Sequence, residues 1–153
     1  MILFINVKKD SLGVKCRAGL KNLNPKWVSM VYILFYRDLI IKGKVDIIQP
    51  DIVKTPGFTT MIKIANMAES MGIPITCHNT QPTISTVAHA HFVAATPGVP
   101  YKQEYNIETI SIRDNTPILS EPLQIIKGMM TIPDGPGLGI QLNMDVVRQL
   151  SKQ

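Results

Sequence analysis

The chain has 153 residues, of which 45% are hydrophobic and 18% are charged. This length is typical of one domain, and so apolar a composition excludes an intrinsically disordered chain. No apolar run reaches the ~18 residues that a membrane span needs, and the apolar start over residues 1–7 is too short for a signal peptide. The two cysteines, Cys16 and Cys77, are too few for a disulfide framework, so we expect a cytoplasmic protein. Because the apolar runs are short, we expect no membrane partner.

The net charge of +5 is unevenly distributed along the chain. Residues 1–44 hold nine Lys and Arg against two acidic residues, a net of +7, whereas residues 45–153 hold seven against nine, a net of −2. A basic arm can bind nucleic acid, but this one lacks interleaved aromatic residues and a phosphate-binding loop. We therefore expect residues 1–34 to be a solvated basic segment, with no nucleic-acid partner.

The first half of the chain becomes regular only gradually. Charged residues and glycines interrupt every apolar run in residues 1–30, which predicts no regular element there. Residues 31–42 are apolar enough for a buried helix, with Gly43 as its C-cap. Residues 45–48 then predict a short buried strand, which ends at polar residues.

The middle of the chain alternates between helix and strand patterns. Residues 59–71 predict a helix that ends at Gly72, and its core positions are expected to be Met61, Ile62, Ala65, Ala68 and Met71. Residues 73–77 predict a second strand, residues 84–95 another helix, and residues 101–105 a third strand. Repeated strand–helix units indicate a parallel sheet with right-handed crossovers.

The C-terminal residues have a different pattern. Residues 128–132 predict an edge strand, and residues 133–139 are too rich in proline and glycine for a regular element. The Gly-x-Gly of residues 137–139 lacks a third glycine and a following helix, so it is weak support for a dinucleotide site. Residues 145–150 predict a short terminal helix.

Three polar residues fall at the ends of the three predicted strands, namely Asp51, His78 and Glu104. The carboxyl ends of parallel strands meet at one edge of a barrel or sheet, where catalytic groups gather. A carboxylate that is hydrogen-bonded to an imidazole sets its tautomer and raises its basicity, which favours a general base near neutral pH. The alternative is that each is an ordinary surface or core residue. His89 and His91 are interpreted as structural, because residues two apart on a helix do not share a face.

Three blocks of sequence together resemble one known family. They are VDIIQPDIVKTPGFTTMIKIANMAESMGIPITCHNTQPTI, then QEY, then IPDGPGLGIQL. These blocks closely resemble the end of the catalytic barrel in the mandelate racemase / muconate lactonizing enzyme family of the enolase superfamily. The resemblance covers about residues 35–146. It implies the last three strand–helix units of a (β/α)7β barrel, followed over residues 128–153 by a segment that returns to a capping domain.

The resemblance also implies roles for individual residues. Asp51 and His78 match the aspartate–histidine pair of the mandelate racemase-like subgroup, and Glu104 matches the carboxyl group that faces the substrate carboxylate. Lys54 matches a lysine common after that aspartate and is a weaker candidate for substrate binding. Pro56 departs from the usual Gly-Gly turn, and its fixed φ limits the conformation of that loop.

The family's chemistry is abstraction of a proton next to a carboxylate, with Mg²⁺ stabilising the enediolate. The resemblance therefore implies a fragment of a Mg²⁺-dependent acid-sugar or hydroxy-acid dehydratase, from a family that is usually homo-oligomeric. The alternatives are a racemase or epimerase, or an inactive truncated chain that acts at most as an interaction piece. The acidic Mg²⁺ ligands are expected to be absent, because the last would fall near Val28, where the sequence is Trp-Val-Ser-Met. A complete barrel needs ~250 residues, so we expect a partial α/β barrel over residues 35–127.

Overall fold

In the computed structural model, the described residues are 2–6, 33–79, 83–105 and 118–152. They contain four helices, α1 (Ile33–Gly43), α2 (Gly57–Ser70), α3 (Ile84–Ala95) and α4 (Met144–Leu150). Four short strands lie among them, β1 (Ile2–Asn6), β2 (Gln103–Glu104), β3 (Ile125–Ile126) and β4 (Met129–Thr131). None of these helices is long and apolar enough to cross a membrane.

The helices follow the predicted pattern, with one correction at the end of α1. Helix α2 ends as expected at Gly72, whose φ is +67°. The N–H groups of Gly72 and Ile73 donate to the carbonyl oxygens of Glu69 and Ala68, which completes a Schellman motif. Gly43 is not the C-cap of α1. It is the last helical residue, and the left-handed conformation falls on Lys44, with φ +48°.

The first two predicted strands are parallel neighbours. Ile48 forms a parallel bridge with Ile75. The N–H of Ile48 donates to the carbonyl of Pro74 at 3.2 Å, and the N–H of Thr76 donates back to Ile48 at 3.1 Å. The third predicted strand lies beside the second and is joined to it by a side chain. The backbone N–H of Cys77 donates to Oε1 of Gln103 at 2.7 Å. The three strand ends therefore lie side by side.

The start of the chain supplies a strand that the sequence pattern did not predict. The order in the four-stranded sheet is β2-β1-β4-β3, with β1 parallel to β2 and antiparallel to β4. The expectation of no regular element in residues 1–30 is therefore wrong for Ile2–Asn6. The prediction of an edge strand at residues 128–132 is also wrong, because β4 lies between β1 and β3.

The larger apolar core lies between α1, α2, α3 and the parallel strand segments. Helix α2 buries one stripe of residues at positions i, i+3, i+4 and i+7, which are Met61, Ile64, Ala65 and Ala68. Ile62 and Met71 were predicted in this core but are 48% and 43% exposed, because Ile62 lies off the stripe and Met71 is the C-cap after the last helical residue. The buried stripe presses α2 onto the strands and so fixes the segment that carries Asp51.

Candidate active site

Asp51, His78 and Glu104 lie on the same rim of the parallel strands. The backbone N–H of His78 donates to the carbonyl of Pro50 at 3.1 Å, which places His78 beside the start of the Asp51 turn. The N–H of Asn79 donates to Oε2 of Glu104 at 2.9 Å, which connects the second strand end to the third. The three candidates from the sequence are thus neighbours along one edge.

Two of the three candidate side chains, His78 and Glu104, are in direct polar contact. Nδ1 of His78 lies 2.8 Å from Oε2 of Glu104, and the two side chains are 34% and 37% exposed. This hydrogen bond raises the pKa of His78 in spite of its partial burial. The same bond lowers the pKa of Glu104. Because a carboxylate oxygen only accepts, neutral His78 carries its proton on Nδ1, and the lone pair of Nε2 is left for proton transfer.

Asp51 is buried and held by its own turn. Its Oδ1 accepts the N–H of Val53 at 2.8 Å, and its carbonyl accepts both the N–H and the hydroxyl of Thr55. Its Oδ2 is buried and has no hydrogen-bond partner in the described part of the chain. Asp51 acts on His78 only through its charge, as the smallest of the causes that shift the pKa of His78. The carboxylate that hydrogen-bonds to His78 is therefore Glu104 and not Asp51.

Asn79 supports this rim and was not singled out in the sequence. It is buried, and its Nδ2 donates to Oγ1 of Thr86 at 3.0 Å and to the carbonyl of Glu104 at 3.3 Å. The hydroxyl of Ser85 donates to Oδ1 of Asn79 at 2.8 Å. Asn79 therefore connects the end of the third strand to the start of α3 by hydrogen bonds. Its position directly after His78 was the available signal.

The other two histidines make the structural contacts that were expected of them. His89 is buried, its Nε2 accepts the N–H of Ile52 at 2.9 Å, and its Nδ1 donates to the carbonyl of Ser85 at 2.8 Å. His91 bonds through Nε2 to the carbonyl of Leu138 at 3.1 Å, which ties the C-terminal segment to α3.

Lys54 lies in the turn that follows Asp51, and its side chain is exposed. Its positive charge opposes protonation of His78 and so acts to lower the pKa of that imidazole. Pro56, with φ −69°, and Gly57, with φ +75°, carry the chain from this turn into α2. Proline is thus accommodated directly before the helix.

Mg²⁺ binds through oxygen ligands, usually carboxylates. In the described ranges, no three His, Cys, Asp or Glu side chains are close enough to hold a metal ion. The two rim carboxylates already accept N–H groups, Glu104 from His78 and Asn79, and Asp51 from Val53. The described residues therefore do not assemble a Mg²⁺ site by themselves, and the position near Val28 lies outside them.

Comparison with known proteins identifies the family. The model of the enolase C-terminal domain-like family matches residues 34–146. D-galactarolactone cycloisomerase of Agrobacterium fabrum is 38% identical over 113 residues, which are 70% of this chain and 30% of that enzyme. Arabinonate dehydratase of Saccharolobus solfataricus is 36% identical over 115 residues, which are 75% of this chain and 30% of that enzyme.

Solved structures agree with this assignment. A mandelate racemase/muconate lactonizing protein from Paracoccus denitrificans, complexed with magnesium, has a TM-score of 0.69 at 28% identity, and the match covers 78% of this chain and 32% of that one. An isomerase from Streptomyces coelicolor has a TM-score of 0.67 at 26% identity, with coverage of 80% and 32%. The chain spans about 30% of the length of the curated relatives above. It belongs to the enolase C-terminal domain-like family, with the mandelate racemase and muconate lactonizing enzymes, and forms part of that family's β/α barrel domain.

Proposed function

We propose that this chain carries the histidine–carboxylate part of an active site that removes a proton next to a carboxylate, in an acid-sugar dehydratase. The observation that carries the proposal is the 2.8 Å contact between Nδ1 of His78 and Oε2 of Glu104 at the strand-end rim. A hydrogen-bonded imidazole with a raised pKa is suited to exchange a proton near neutral pH. The substrate proposed is a small hydroxy acid.

The rim residues have distinct proposed roles. Nε2 of His78 exchanges a proton with the substrate, and Glu104 stabilises the imidazolium through Nδ1. In the elimination, the α C–H bond breaks, its proton goes to Nε2 of His78, and its electron pair forms a C=C bond. The β C–O bond breaks, and the leaving hydroxyl takes that proton from His78 to depart as water. The resulting enol becomes a 2-keto-3-deoxy acid. The charge of Lys54 acts on His78, and we assign Lys54 to the substrate carboxylate.

The relatives have two kinds of activity, so isomerisation is a second candidate reaction. Arabinonate dehydratase and D-xylonate dehydratase, at 36% and 35% identity, support elimination. D-galactarolactone cycloisomerase and muconate cycloisomerase support an isomerase instead. Both reactions begin at a carbon next to a carboxylate, so the same histidine serves either one.

A hybrid enzyme tests the proposal. The matching segment of the Saccharolobus arabinonate dehydratase is replaced by residues 34–146 of this chain, and its fold is checked by circular dichroism. We expect a 2-keto-3-deoxy product from at least one acid in a panel of sugar acids and aromatic hydroxy acids. A folded hybrid that only inverts a stereocentre would favour the isomerase, and one that does neither would contradict the proposal.

A second candidate function, an interaction piece, is favoured by the open edge of the first strand segment. The backbone groups of Ile47 and Gln49 have no hydrogen-bond partner in the described part of the chain. On the preceding helix α1, Leu34 and Ile41 share a face and are 58% and 55% exposed. A free strand edge and an apolar helix face together fit a strand–helix unit of another chain. Light scattering tests this, since association that is lost in Ile47→Pro would support it and a monomer would contradict it.

A further inference from the structure

We propose that His89 is a positioning residue that holds the Asp51 turn at the rim through the peptide N–H of Ile52. The inference rests on the proposed function, because it concerns the placement of Asp51. His89 belongs to α3, one strand–helix unit further along the chain. It therefore joins the helix after the second strand segment to the turn after the first.

The two ring nitrogens of His89 have fixed and different roles. Nδ1 lies 2.8 Å from the carbonyl of Ser85, which only accepts, so Nδ1 carries the proton. Nε2 is therefore free to accept the N–H of Ile52, at 2.9 Å. A buried imidazole that uses both nitrogens in this way has one allowed tautomer and one allowed ring orientation.

Asp51 depends on this contact because little else holds its carboxylate. Oδ1 accepts the N–H of Val53, and Oδ2 is buried without a partner among the described residues. Nε2 of His89 lies 3.7 Å from Oδ1, close enough to limit its movement without bonding to it. The N–H of Ile52 belongs to the Asp51–Ile52 peptide, so His89 holds the backbone within the turn that Oδ1 of Asp51 closes with the N–H of Val53.

The test is NMR on the whole 153-residue chain, comparing His89→Leu, His89→Gln and the control His91→Leu. In His89→Leu, we expect amide exchange at Ile52 and Val53 to speed up about tenfold, because a buried N–H loses its acceptor. The carboxyl ¹³C signal of Asp51 should also move. His89→Gln should restore both, since its amide can accept from Ile52 and donate to Ser85. The control removes the bond to Leu138, which lies away from the Asp51 turn, so Ile52 and Asp51 should be unchanged.

Unchanged Val53 exchange and an unchanged Asp51 signal in His89→Leu would overturn the inference, as would equal changes in His91→Leu. If His89→Leu does not fold, His89→Asn replaces it, because its shorter amide does not reach Ile52 and should loosen the same two amides. None of these readouts needs turnover. An inactive hybrid enzyme would therefore contradict the proposed function alone, and an unmoved Asp51 would contradict this inference alone.

Discussion

Nδ1 of His78 and Oε2 of Glu104 lie 2.8 Å apart, across two neighbouring strand ends. Asn79 donates its backbone N–H to the same carboxylate oxygen, so Glu104 is oriented before any substrate binds. The contact raises the pKa of the imidazole and lowers the pKa of the carboxyl group, which is the behaviour of an ion pair. Glu104 rather than Asp51 therefore controls the protonation of His78.

Removing the charge of Glu104 should lower the pKa of His78. Glu104→Gln removes the largest cause of the upward shift, whereas Asp51→Asn removes the smallest. We expect a clear downward shift in the first variant and little change in the second. The measurement is the pH titration of the His78 ring signal by NMR. A larger shift in Asp51→Asn would contradict the assignment of the pair.

Two histidines should give the stability of the chain opposite dependences on pH. The pKa of His78 is raised by its bond to Glu104, so its contribution is fully present below pH 6.5 and is lost as the pH rises through the folded-state value. The pKa of His89 is lowered by burial, so its contribution is present above pH 6.5 and is lost as the pH falls through the folded-state value.

We expect His78→Gln to flatten the stability profile above pH 6.5, and His89→Gln to flatten it below that pH. Urea midpoints measured between about pH 5 and 8 give the two profiles, since this is the range where histidine changes its charge. His91→Gln is the matched control. If His78→Gln and His89→Gln flatten the stability profile over the same pH range, then the Glu104 contact of His78 and the burial of His89 do not act as described.

Two isoleucines on α2, Ile62 and Ile64, should respond differently to truncation because their burial differs. Ile64 is 0% exposed and Ile62 is 48% exposed. Ile64→Ala should cost about 2–5 kcal/mol of unfolding free energy, through lost burial and the cavity that remains. Ile62→Ala should change it by only about 0.5 kcal/mol. Urea denaturation of both variants measures the difference in unfolding free energy. Equal losses would show that the buried face of α2 is not the stripe that contains Ile64.

Two glycines with similar backbone angles should respond differently to a methyl group. At Gly72, φ is +67° and an added Cβ meets nothing within 4 Å, so Gly72→Ala should cost only the left-handed strain of about 1–2 kcal/mol. At Gly139, φ is also +67°, but a Cβ would lie 2.8 Å from the backbone nitrogen of Gly135. Gly139→Ala should therefore cost more, and thermal unfolding of the two variants tests the order.

Local pattern was sufficient to predict much of this fold. The apolar spacing of α2 and α3 and the turn residues around them define both helices. The three strand-end residues followed from the regular strand–helix repeat. These features depend on near neighbours in sequence, which is why composition and spacing identify them.

Contacts between residues that are far apart in sequence could not be predicted in the same way. The run Ile2–Asn6 is short and has no helical or strand period, and its partners β2 and β4 are far from it in sequence. The partner of His78 was also open, because Asp51 and Glu104 both end strands beside it. Side-chain geometry at the rim decides between them, and the sequence does not encode that geometry locally.

The most direct test of the account is the turnover of the hybrid enzyme with His78→Asn. His78 lies at a strand end and is half-buried, so the variant should fold like its parent. Its turnover should fall by about 10²–10⁴-fold, the usual contribution of a general acid–base group. His91→Asn, which loses only a bond to Leu138, should keep turnover within a few-fold of the parent. A folded His78→Asn hybrid with turnover equal to that of His91→Asn would contradict the proposed role of His78.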